Sequence, residues 1–175
     1  MKRLIILSDL WGAAKSEWPG HYIGRLRGQF EIAYYDSRTL ADIAGNIQDG
    51  ETPHDHFVNG GADRAVMKLL KLEKAADAIL GFSVGGWIAW KACLAGLNVQ
   101  DLVAVSSTRL RIETRRPSAR ISLFYGSSDP FIPSEAWFAD MGVEPALFNG
   151  EGHRMYEQDA IAADICGRIM GIHHR

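Results

Sequence analysis

Residues 75–95 read AADAILGFSVGGWIAWKACLA, and the fold follows from that stretch. The apolar run Ala78-Ile79-Leu80 leads into Gly81-Phe82-Ser83-Val84-Gly85-Gly86, and a helix-like segment follows at once. A strand, a Gly-x-Ser-x-Gly turn and a helix in that order place the serine on a very sharp bend. The positions two before and two after it must be small, because the backbones entering and leaving the bend nearly touch. Gly81 and Gly85 meet that demand. The geometry lifts the Ser83 hydroxyl clear of the chain and aims the first N–H groups of the next helix at whatever it attacks. That helix, with Val84, Trp87, Ile88, Ala92 and Ala95, carries one charge, Lys91, and a nearly uncharged helix is a buried one. A buried helix after a buried strand is the central unit of a doubly wound sheet.

The rest of the chain fits one domain. It has 175 residues, 47% hydrophobic and 23% charged, the composition of a soluble globular protein with a real core. The net charge of −2, from 19 basic and 21 acidic residues, provides no basic field for nucleic acid or an anionic membrane. No apolar run approaches the ~20 residues that span a bilayer. Leu4-Ile5-Ile6-Leu7 is too short for a signal peptide, and Ser8-Asp9 ends it. Cys93 and Cys166 lie in helical segments, with no second Cys or His at metal spacing, and read as small buried residues. A cytoplasmic location is the default expectation, with no cofactor and no metal.

Taken in order, residues 3–8 read as a buried parallel strand, 16–28 as a helix with Ser16 as N-cap and Pro19 in its first turn, and 30–35 as a second strand. Residues 37–60 are the least legible. Leu40, Ile43, Ala44 and Ile47 have weak helical spacing, and the polar run from Asp49 to His56 breaks it. His54, Asp55 and His56 have ligand chemistry, but alternate residues on a turn-rich segment with no further ligand nearby read as surface. A helix over 62–72, strands over 101–106 and 120–125, a helix from Ser134, a short strand over 144–148 and a closing helix with Ile161, Ile165 and Ile169 complete the chain. Its tail from Ile172 to Arg175 is expected to fray. The alternation argues for an α/β sheet with helices on both faces.

In open parallel sheets function gathers at the carboxyl ends of the strands. Ser83, Asp129 and His153 fall at such ends. A serine hydroxyl is a poor nucleophile at neutral pH. An imidazole takes its proton and later delivers one to the leaving group, while a carboxylate fixes the tautomer of the imidazole. Asp101 opens a strand at the opposite edge, and His21, His54 and His56 precede the turn.

With those residues in hand, the chain resembles a small member of the α/β-hydrolase superfamily, of the dienelactone-hydrolase-like or carboxylesterase-like kind. The likeness rests on Gly81-Phe82-Ser83-Val84-Gly85, on Gly126-Ser127-Ser128-Asp129-Pro130-Phe131-Ile132-Pro133 and on Gly152-His153, which occur in the family's Ser…Asp…His order. It implies a minimal, mostly parallel sheet of about six strands without a cap domain, and the triad Ser83, Asp129 and His153. It also implies an oxyanion hole of backbone N–H groups, Val84 giving one and Leu10 the other, with Trp11 the alternate. Two departures stand out. Ser8-Asp9 replaces the family's His-Gly after the first core strand, and the chain opens on that strand, so the family's first two strands are expected to be missing. Only residues 107–119 are available for a lid, too few for a helical one. An open site follows, with Trp87, Trp11, Phe131 and Met155 as candidate walls. Arg109, Arg111, Arg115 and Arg116 could attract an anionic ester, although a solvated loop is the simpler reading.

The functional expectation is a serine hydrolase acting on a small carboxylic ester or thioester. The alternative is a non-catalytic protein of the same fold that binds a small molecule or a protein partner. A phosphate-cradling domain fits poorly, since residues 81–86 lack both Gly-Lys-Ser/Thr and G-x-G-x-x-G spacing.

Overall fold

The computed structural model describes residues 1–12, 16–43 and 52–173. Six strands, β1 (Lys2–Leu7), β2 (Phe30–Tyr35), β3 (Ala75–Phe82), β4 (Asn98–Val105), β5 (Arg120–Gly126) and β6 (Ala146–Phe148), form one sheet in the order β2-β1-β3-β4-β5-β6. Every pairing is parallel. The chain winds outward from β1 to β2, then crosses back to lay β3 on the other side of β1. The switch point therefore falls between β1 and β3, where Leu7 pairs with Gly81, and the crevice outside that point is where open α/β sheets hold ligands.

The strands are apolar runs because both faces are covered. On β1, Ile5 and Leu7 face one core and Leu4 and Ile6 the other. The same alternation sorts Leu102 and Ala104 from Val103 and Val105 on β4. One face is covered by α4 (Ala62–Leu72), α5 (Val84–Leu94) and α6 (Glu135–Met141). The other is covered by α1 (Pro19–Leu26) and α7 (Asp159–His173), with Ile161, Ile165 and Ile169 facing inward. No cap domain rises over the sheet among the described residues.

The differences from the sequence reading have local causes. The first helix begins at Pro19, not Ser16; Trp18 is its N-cap and makes no side-chain capping bond. Proline suits a first helical position, where its missing N–H has no partner to lose. The strands read from the run 78–80 and over 101–106 extend back to Ala75 and Asn98, because parallel pairing continues there through Ala75 with Asn98 and Ala76 with Val99. Asp36 does more than end β2: its carboxylate accepts the N–H groups of Arg38 and Thr39 and caps a short helix, α2 (Ser37–Leu40). The polar run before His56 is partly helical, as α3 (Pro53–His56). Thr52 and Asp55 form a capping box, with Pro53 in the first turn. The chain then kinks at Asn59 and Gly60 (φ 102°) before α4. The closing helix extends as far as His173. Ala44, Ile47 and Asp49–Glu51 lie outside the described residues, as do His174 and Arg175.

Candidate active site

Ser83 links β3 to α5 with φ 51° and ψ −117°, a conformation rarely adopted by a residue with a Cβ. The surroundings enforce it. A Cβ on Gly81 would lie 2.4 Å from the backbone of Gly85 and Gly86, and one on Gly85 would lie 2.4 Å from the Ser8 carbonyl. The first contact is the strand-to-helix approach that the motif implies. The second is a different approach, of the helix N-terminus onto the end of β1. It sets Val84 beside the loop that begins at Ser8.

Ser83 Oγ lies 3.1 Å from His153 Nε2, and His153 Nδ1 lies 2.7 Å from Asp129 Oδ2. The Asp129 side chain is fully buried, whereas that of His153 is about one-third exposed. The other oxygen of Asp129 accepts the Phe131 N–H at 3.0 Å, so both carboxylate oxygens are held. The loops carrying the acid and the histidine are stitched together. Ser127 Oγ accepts the Gly150 N–H, the Ser128 N–H donates to the Glu151 carbonyl, and a Cβ on Gly126 would meet that carbonyl at 2.3 Å. The structure thus brings together the three side chains that the sequence nominates. Asp101, set aside on sequence grounds, is buried at the far end of the sheet and takes two hydrogen bonds from Arg120.

The loop after β1 is organised by Asp9. Its Oδ1 accepts the Trp11 N–H at 3.1 Å and its Oδ2 accepts the Tyr156 hydroxyl at 2.9 Å. Asp9 is almost fully buried, and burial pushes its pKa above the usual carboxylate range despite those two bonds. The Trp11 N–H is therefore committed to a side chain. The N–H groups of Leu10 and Val84 donate to no acceptor among the described residues.

A small cleft opens beside Ser83. Leu10, Val84 and Trp87 line it from the sheet side, and His54, Phe57 and Val58 from the kinked segment around α3. Thr108 and Arg109 close a third side. They belong to a 3₁₀ turn, Thr108–Ile112, that leaves β4 through Ser106 (φ 53°). Of the four candidate wall residues only Trp87 lines this cleft. Met155 is buried in the core opposite α5, packed with Tyr156 and Ile161, because the turn after His153 folds it beneath the sheet edge. Trp11 and Phe131 are largely exposed and outside the lining. The solvated-loop reading also needs correction for Arg109: its guanidinium lies 5.4 Å from the Trp87 ring and borders the cleft. Arg111, Arg115 and Arg116 are exposed, as expected.

His54, Phe57 and Val58, from one segment, are lining residues that sequence reasoning missed, as is Thr108. The signal for that segment was Thr52-Pro53-His54-Asp55, a capping box with proline in the first turn, which announces a helix within an otherwise polar run. The Asp55 carboxylate is occupied by Thr52. Among the described residues, no three His, Cys, Asp or Glu side chains gather as a metal site requires, and no helix is long and apolar enough to cross a membrane.

No protein-family model matches the sequence, and no curated protein matches it. Solved structures do resemble it. A protein from Thermoplasma acidophilum, described as a predicted CIB-like hydrolase, superposes with a TM-score of 0.67 at 17% identity, over 95% of this chain and 86% of its own. Mouse alpha/beta hydrolase domain-containing protein 10 gives 0.69 at 13% identity, over 97% of this chain and 88% of its own. A Xanthomonas campestris protein, described as a member of the α/β serine hydrolases without a lid, gives 0.56 at 16% identity, over 95% and 79%. At such identities the likeness concerns architecture, and the architecture of this chain is the α/β-hydrolase fold.

Proposed function

We propose that the protein is a serine hydrolase that cleaves a small carboxylic ester or thioester through an acyl-enzyme. The observation that carries this reading is the continuous chain from Ser83 Oγ to His153 Nε2 and from His153 Nδ1 to Asp129, at 3.1 and 2.7 Å. With its proton on Nδ1, held by a buried carboxylate, the imidazole presents Nε2 as an acceptor. Nε2 takes the Ser83 proton as Oγ forms a bond to the substrate carbonyl carbon. The tetrahedral oxyanion is met by the N–H groups of Val84 and Leu10. Collapse breaks the bond to the alcohol or thiol, which leaves with the proton from Nε2. Water then attacks the acyl-enzyme with His153 again as base, releasing a carboxylic acid and restoring Ser83. Leu10 is favoured over Trp11 in the oxyanion hole because Asp9 already holds the Trp11 N–H. The second oxygen of the Asp9 carboxylate is engaged by the Tyr156 hydroxyl.

Fluorophosphonate labelling with intact-mass readout tests the reading. One adduct on the wild-type protein is expected, absent from Ser83→Ala and formed far more slowly by His153→Ala. No adduct on folded wild-type protein, or equal labelling of Ser83→Ala, would overturn it and leave the non-catalytic binding reading in its place.

A further inference from the structure

Arg109 has no hydrogen-bond or ion-pair partner among the described residues, although it is one of the more enclosed arginines. Its Nε is buried without a hydrogen-bond acceptor, and its guanidinium makes no ion pair there. Other arginines are engaged: Arg3 with Glu73, Arg25 with Asp159, Arg64 with the Ala41 carbonyl, Arg120 with Asp101. The nearby carboxylate of Glu113 is bound by Trp87 Nε1 at 2.8 Å. What holds Arg109 is the face of Trp87, whose ring is itself fixed by that bond and by Lys91 over it at 5.1 Å. Burying a donor without an acceptor is costly. Here the cost falls in the wall of the cleft that contains Ser83. The turn carrying Arg109 leaves β4 through Ser106, a second non-glycine residue at positive φ beside the site, and strain of this kind tends to collect where function needs it.

Building on the hydrolase reading, we infer that Arg109 is a specificity-determining residue that selects esters bearing a carboxylate close to the scissile bond. A guanidinium presents paired N–H donors in the geometry of a carboxylate. The apolar lining of Phe57, Val58 and Trp87 accommodates the short carbon chain between the two groups. His54, exposed at the rim on the opposite wall, offers a second donor. The cleft is small, which suits a short acid rather than a nucleotide-bearing thioester.

The test compares p-nitrophenyl half-esters of dicarboxylic acids with uncharged p-nitrophenyl esters of equal chain length, and acetoxybenzoates with phenyl acetate. The first pair places the carboxylate on the acyl side and the second on the leaving group. The wild-type protein should prefer the charged member of one pair. The ratio of kcat/KM, charged over neutral, should fall about 10- to 100-fold in Arg109→Met, the range expected for a lost charged hydrogen bond. Arg109→Lys should retain part of the preference. No preference in either pair, or an equal fall for charged and neutral esters in Arg109→Met, refutes the inference. Calorimetry on Ser83→Ala protein with dicarboxylic acid monoamides separates this from failure of the hydrolase reading. Without labelling or turnover, that reading falls while Arg109-dependent monoamide binding still upholds the anion site, and Arg109-independent binding or none overturns it. Should Arg109→Met fail to fold, the Arg109→Gln and Arg109→Lys pair gives the same comparison.

Discussion

Removing one oxygen, in Tyr156→Phe, tests how the Ser8–Gly12 loop is held. The Tyr156 hydroxyl donates to Asp9 Oδ2 at 2.9 Å between two buried side chains. The ring is kept in place by other contacts, edge-on to Trp18 at 4.8 Å, and the Tyr156 carbonyl accepts the Tyr22 hydroxyl. Phenylalanine can therefore occupy the same space. A hydrogen bond to a charged group contributes about 1.5–3 kcal/mol. At about 2.1 cal/mol/K per residue, unfolding 175 residues carries roughly 0.37 kcal/mol/K, so a loss of about 2 kcal/mol lowers Tm by about 5 °C. The pH dependence has a definite sign. The folded pKa of Asp9 is raised, by burial first, so the native state holds its proton more tightly than the unfolded chain does. Asp9 thus lowers stability as pH rises from the ordinary carboxylate range to its raised native value, and the effect is constant above that. Tyr156 stabilises the ionised form, so its removal raises the Asp9 pKa further and is felt most where Asp9 is ionised. The wild-type-to-mutant difference should be near 2 kcal/mol at a pH above the raised native value, where Asp9 is ionised, and fall toward about 1 kcal/mol at a pH below it, where Asp9 is protonated when folded and only a neutral bond is lost. Urea unfolding at both pH values measures it. An equal difference at the two pH values, or none at either, would refute the assignment of the Asp9 carboxylate as the partner.

Two further predictions follow from the same geometry. Gly85→Ala places a Cβ 2.4 Å from the Ser8 carbonyl, backbone against backbone, and should cost about 1–3 kcal/mol or more. Gly24→Ala, in α1 with nothing within 4 Å, should instead stabilise by about 0.5–1 kcal/mol; thermal melts that moved both variants the same way would contradict this account of the elbow. Asp129→Asn keeps the shape of the side chain and its acceptance of the Phe131 N–H but upsets the His153 tautomer. The rate of fluorophosphonate acylation should fall by about 10³–10⁴ with the melting temperature little changed, and a loss below tenfold would remove Asp129 from its proposed role.

Some of this was legible in the chain and some was not, for a physical reason. β1, β3 and the elbow are dictated by local chemistry: apolar runs that need cover on both faces, and glycines where a Cβ would lie 2.4 Å from neighbouring backbone. Asp129 and His153 were legible because a parallel sheet sends every strand end to one edge, so that chain order alone limits which residues can meet. The walls of the cleft are different. Met155 and Phe131 lie two residues after His153 and Asp129, yet one turns into the core and the other into solvent. Phe57 and Val58 come from a polar, kinked segment remote from Ser83 in the chain. Local sequence specifies a turn's shape but not which neighbour it leans on, and it is the leaning that makes a pocket. The four arginines of residues 107–119 are alike in sequence. Only the bend at Ser106 and the fixed ring of Trp87 distinguish Arg109 from the others. In the proposed enzyme the reacting groups are set by short-range pattern, whereas the groups facing the rest of a substrate are set by packing between distant segments. Substrate choice can therefore change through Arg109 or the segment around α3 while the Ser83–His153–Asp129 chain stays as it is.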